Sequence, residues 1–77
     1  MATIKSPASD LIWNASLMGK PVHVSRLRAY CAGPADVADK LKTADDLGVK
    51  VKGGLRHDEQ QELLKLRGGQ RALKGVL

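Results

Sequence analysis

His23, Cys31 and His57 are the only side chains of this sequence with the soft nitrogen or sulfur donors that structural metal sites favour. No two of them stand at the close spacings of a zinc site, and there is no second cysteine. The expected roles are a half-buried histidine in a strand, a packed cysteine and a surface histidine before a helix. Cys31 with a histidine is the one conceivable nucleophile and base. Yet it shares an apolar helical face with Leu27 and Tyr30, where a cysteine is a small, inert core residue. The carboxylate pairs Asp45-Asp46 and Asp58-Glu59 have no apolar cleft beside them to raise a pKa, and read as solvated helix ends. The glycine pairs fit neither G-x-x-x-x-G-K-[ST] nor G-x-G-x-x-G. No catalytic residue, metal or cofactor is expected, and the chain is not expected to be an enzyme.

Basic side chains are the remaining chemistry. The formal net charge is +5, and it is unevenly spread. Arg26 and Arg28 lie before an acidic stretch, in which Asp36, Asp39, Asp45 and Asp46 outnumber Lys40 and Lys42. Lys50, Lys52 and Arg56 follow it with no acid among them. Such a surface can attract an anionic partner, although no long basic run demands one.

The elements that must position these residues can be read from caps and spacing. Ser6-Pro7 is a helix opening, because serine can cap free N–H groups and proline is pre-set for the first turn. Leu11, Ala15 and Met18 recur at helical spacing to Gly19, flanked by Ile12 and Leu17, so a helix is predicted over 7–18. Val22-His23-Val24 alternates like a short strand, and Ser25 caps a second helix running to about residue 32. A third helix over 35–47 carries Val37, Ala38, Leu41 and Ala44 on one side and a charged face opposite. Asp36 and Lys40 there have the favourable i,i+4 spacing, and Gly48 is the stop. Val49-Lys50-Val51-Lys52 alternates, and Gly53-Gly54 permits a tight turn, so that Leu55-Arg56 can pair back in a hairpin. Asp58 with Gln61 forms a capping-box pattern for a fourth helix bearing Leu63, Leu64 and Leu66, ended by Gly68-Gly69. Residues 71–77 are expected to add a last turn or two.

The expected molecule is therefore mainly α, one domain spanning 1–77, with a core region over 7–57 and a C-terminal helical segment over 58–77. At 77 residues, only part of the unfolded surface can be hidden, so the core must be compact. It is expected to rest on Leu11, Leu27, Val37, Leu41, Leu47 and Leu63. Trp13 is expected to cover that core from the first helix, with an interface anchor as the other reading. No apolar run approaches the roughly 20 residues of a membrane span, and residues 1–20 lack the continuous apolar segment of a signal peptide. With the lone cysteine, that points to a cytoplasmic setting.

Val24-Ser25-x-Leu27, then Val37-x3-Leu41-x2-Ala44-x3-Gly48, then Val49-Lys50-Val51-Lys52-Gly53-Gly54 together resemble a winged helix-turn-helix of bacterial and phage transcription regulators. The resemblance covers about residues 7–57. It implies a third helix in the major groove of DNA and a basic hairpin on the backbone. Lys40, Lys42 and Thr43 would then face the groove beside Asp36 and Asp39, while Lys50, Lys52 and Arg56 would form the wing. Arg26 and Arg28 would meet phosphates from the second helix. The implied function is that of a small DNA-binding transcription regulator, of phage or plasmid type by its size.

A carboxylate facing phosphates repels them, so the acidic third helix supports an alternative. On that reading the chain is a small inhibitor or adaptor that binds a host protein through Asp36, Asp39, Asp46 and Trp13. In either case, Leu63, Leu66, Leu73 and Leu77 offer a homodimer seam along the C-terminal helix.

Overall fold

The computed structural model describes residues 7–76, in the order α1 (Pro7–Met18), β1 (Val22–His23), α2 (Val24–Ala29), α3 (Pro34–Asp46), β2 (Val51–Lys52), α4 (His57–Leu64) and α5 (Gly69–Lys74). The Ser6 cap and the seam residue Leu77 lie outside the described residues. The described residues are mainly helical, with one small two-stranded sheet.

α3 is the hub. Pro34 opens it, and Val37, Ala38, Leu41 and Ala44 form the single buried stripe that their spacing predicts. It packs most extensively on α4, and also against α1, α2 and α5. The largest fully buried side chains are Ile12, Leu27, Leu41, Leu63, Val24 and Val37. Four of the six core positions expected from the sequence are thus buried or nearly so. Leu11 is half-buried, and Leu47 is 40% exposed because it falls at the C-cap, past the last inward turn of α3.

α1 is turned relative to expectation. Its buried stripe is Ala8, Ile12 and Ala15, which also follow i,i+4,i+7 spacing, while Leu17 and Met18 face out. Two alanines on the inner side let α1 approach closely. Trp13 does not cover the core; it is 53% exposed.

The sheet differs in kind from the expected hairpin. β1 and β2 pair in parallel, with Val22 opposite Val51 and His23 opposite Lys52, and the Val22 N–H donates to the Lys50 carbonyl at 2.9 Å. Leu55 and Arg56 form no strand; they lead directly into α4. A parallel pair needs a long crossover, which α2 and α3 supply. Val22 and Val51 fill the inner side, leaving His23 and Lys52 outside. Gly53, at φ 95°, closes this arrangement: a Cβ there would lie 2.8 Å from Val24 Cγ1.

The caps shift by a residue or two. His23, not Ser25, caps α2, its Nδ1 accepting from the Ser25 N–H at 3.2 Å. α4 is capped at Arg56 rather than Asp58, because Glu59 occupies N3 and its carboxylate accepts the Arg56 N–H at 2.9 Å. Of the described seam leucines, Leu63 is fully buried, and Leu66 and Leu73 are partly buried against the core. α5 docks on α4 so tightly that a Cβ on Gly69 would collide with the Leu63 carbonyl.

Candidate nucleic-acid interface

Two arginines two positions apart on α2 meet opposite surroundings. Arg28 turns towards α4, where its Nε and Nη2 donate to the two oxygens of Glu59 at 2.6 and 2.7 Å. The Glu59 side chain is only 3% exposed, so this forked pair is a structural bolt between α2 and α4. The Arg28 hydrogen bond, reinforced by the Arg56 N–H, holds the Glu59 carboxyl below its ordinary range. The same bond raises the Arg28 guanidinium above its own. Arg28 further reaches the Gly54 carbonyl at 3.4 Å. Its guanidinium is occupied.

Arg26 points the other way. It borders a surface depression with Leu11, Met18, Lys20 and Pro21. An adjoining depression between the end of α1 and the segment entering β2 is lined by Lys20, Lys50 and Lys52. The two share Ala15, Lys20 and Pro21, so Arg26, Lys20, Lys50 and Lys52 edge one continuous surface. Arg26, Lys20, Lys50 and Lys52 are all exposed, and none forms an ion pair among the described residues. The parallel sheet creates the juxtaposition by bringing Lys50 and Lys52 beside the turn that follows α1.

The charged face of α3 is largely satisfied within its own helix, apart from Asp45, which faces Arg71 of α5 at 3.6 Å. Lys40 donates to Asp36 at 3.1 Å and to Asp39 at 3.3 Å, and Lys42 donates to Asp46 at 2.6 Å. The Thr43 hydroxyl donates back to the Asp39 carbonyl at 3.1 Å. Asp36 has a further task, since its second oxygen accepts the Ala32 N–H at 3.0 Å and ties down the turn between α2 and α3. That backbone bond, with Lys40, holds its carboxyl below the usual range. Of the eight basic or polar residues anticipated on a nucleic-acid face, Arg26, Lys50 and Lys52 thus come together. Arg28, Lys40, Lys42 and Thr43 are engaged internally, and Arg56 is exposed beside the start of α4. Of the alternative protein-facing set, Asp36 and Asp46 are partnered, Asp39 shares Lys40, and Trp13 stands free on α1.

Lys20 is the functional candidate that the sequence reading passed over; its signal was the Gly19-Lys20-Pro21 turn, which holds it at an exposed corner. Glu59, expected with Asp58 to be a solvated helix end, is instead buried, because Arg28 and the Arg56 N–H supply the partners its carboxylate needs. The histidines and the cysteine are placed apart. His23 is occupied by Ser25, with 2.8 Å between Nδ1 and Oγ, while Cys31 is half-buried, its thiol pushed up chiefly by burial. No cluster of three or more His, Cys, Asp or Glu side chains suited to a metal occurs among the described residues, and none of their helices is long and apolar enough to cross a membrane. Comparison of the chain with protein-family models, curated proteins and solved structures returned no match.

Proposed function

We propose that this chain is a small DNA-binding protein that holds phosphates on the surface edged by Lys20, Arg26, Lys50 and Lys52. The observation that carries the reading is the sorting of charge: the cations of α3 are neutralised by neighbours, whereas these four converge without an acid partner. Phosphate contacts from lysine and arginine supply affinity irrespective of sequence. The acidic face of α3 is poorly suited to a groove, so base reading by that helix is not part of the proposal. The winged-helix resemblance bears on it only through Arg26, Lys50 and Lys52, the residues common to both. A role in transcription regulation would follow from where such a protein sits on DNA.

The test is a titration of random duplex DNA by fluorescence anisotropy at several salt concentrations. Three or four phosphate contacts give a slope of log K against log salt of roughly −3 to −4. Lys50→Glu with Lys52→Glu should abolish binding while leaving the thermal melt within about 0.5 kcal/mol of the parent, as these are exposed positions. No binding to any duplex at low salt overturns the proposal. A host protein captured in stoichiometric amount from extract after nuclease treatment would favour the adaptor reading instead, resting on α1 and its exposed Trp13.

A further inference from the structure

Lys20 and Arg26 flank a hollow that phosphates alone do not fill. Leu11, Asn14, Ala15 and Met18 follow i,i+3,i+4,i+7 spacing, so they share one side of α1, away from Trp13 and Leu17. The turn after α1 comes back along that side, held by the Lys20 N–H on the Ala15 carbonyl at 3.0 Å. Val22 of β1 and Arg26 of α2 complete the enclosure, which measures about 140 Å³. Pockets for whole drug-sized molecules begin at roughly 300 Å³, so this one has room for a single small ring. Its floor is apolar, formed by the buried Ala15 and Val22 between the half-buried Leu11 and the exposed Met18. Asn14, also exposed, adds an amide that both donates and accepts.

We infer that this hollow receives one unpaired base of a DNA strand, with the neighbouring phosphates on Lys20 and Arg26. The base site rests on the phosphate surface proposed above and adds a second kind of contact to it. A bare phosphate would leave the apolar floor uncovered. A purely apolar occupant would leave both cations without a counter-charge, since neither forms an ion pair among the described residues. A nucleotide satisfies the two together: its ring has an apolar face, its edge carries donors and acceptors for Asn14, and its backbone is anionic. The Arg26 guanidinium is planar and can also lie against the ring. In an intact duplex the ring faces are stacked on one another, so only an unpaired base can enter. Duplex DNA is then held by its phosphates alone, and a strand with free bases gains the additional contact.

The test is fluorescence anisotropy of the full chain with two labelled single strands of about 12 nucleotides. One is made of thymidines, the other of abasic sites, which carry the same phosphates without bases. The thymidine strand should bind roughly tenfold more tightly. The two strands should show the same salt slope, because the added contact is uncharged. Asn14→Ala combined with Met18→Ala, both at exposed positions, should remove most of that preference. The double variant should keep the parental melt and the parental affinity for the abasic strand. Equal affinity of the parent for both strands overturns the base site and leaves the phosphate surface standing, whereas binding of neither strand overturns both. A preference that survives the double variant, or that is lost instead in Trp13→Ala, puts the base elsewhere and overturns the inference.

Discussion

The α2–α4 junction and the surface around Lys20 are built from the same residue types, yet they handle charge in opposite ways. At the junction, Arg28 is forked onto a carboxylate withdrawn from water, and two backbone groups complete the arrangement. Around Lys20, basic side chains gather without any acid, at the rim of open depressions. Arg26 and Arg28 stand on one helix of six residues and belong to different regions. A count of basic residues treats them as equivalent; their surroundings separate a fastener from a cation with no ion pair among the described residues. The net charge of +5 is thus expressed mainly where acids are missing, not where lysines and arginines are most numerous.

Removing the fastener should have the larger effect. Glu59→Ala strips Arg28 of its partner and the Arg56 N–H of its acceptor, and should cost roughly 2–4 kcal/mol in a denaturant melt. DNA affinity per folded molecule should not change. If Glu59→Ala leaves the melt intact, the junction is no more than a surface pair.

Acid should dissolve the same bond. Glu59 and Asp36 titrate lower in the fold than in the unfolded chain. Their stabilisation is therefore fully present above the unfolded values of about 4, and is lost as pH falls through the folded values. Melts should be flat from neutral pH to about 5 and decline below about 4. Glu59→Gln should lower stability at neutral pH and make this acid decline shallower. An unaltered acid limb in Glu59→Gln would show that Glu59 contributes nothing to it.

The smallest effect is expected on α3. Lys42→Ala removes an i,i+4 pair with Asp46 and should cost no more than about 0.5 kcal/mol. It should leave the salt slope of DNA binding unchanged. A slope reduced by about one in Lys42→Ala would bring α3 into the phosphate surface after all.

Much of the helical frame could be read from the residues because its signals are local. α3 has one apolar stripe with a charged face opposite, so its phase and its end at Gly48 follow directly. α1 has apolar side chains all round, from Leu11 to Met18, so spacing alone allows two phases. Packing chose the one with alanines inside. The strand over Val51–Lys52 was recognisable, but Gly53-Gly54 suggested a local partner when the true one, β1, lies across the α2–α3 crossover. Arg28 and Glu59 are 31 positions apart, and nothing in the sequence links them. That long-range pairing is why the second-helix arginines looked alike, and why Lys20, brought to Lys50 and Lys52 only by the sheet, was missed.

The difference between Arg26 and Arg28 can be measured with two single substitutions. Arg26→Gln and Arg28→Gln remove the same charge, and each is followed by thermal melt and by the salt dependence of duplex DNA binding. Arg26→Gln should leave the melt unchanged and reduce the magnitude of the salt slope by about one. Arg28→Gln should lower the melt substantially, by roughly 2 kcal/mol or more, and keep the parental slope in the folded protein. Equal loss of slope in both, with Arg28→Gln as stable as the parent, would contradict the division between fastener and binding surface.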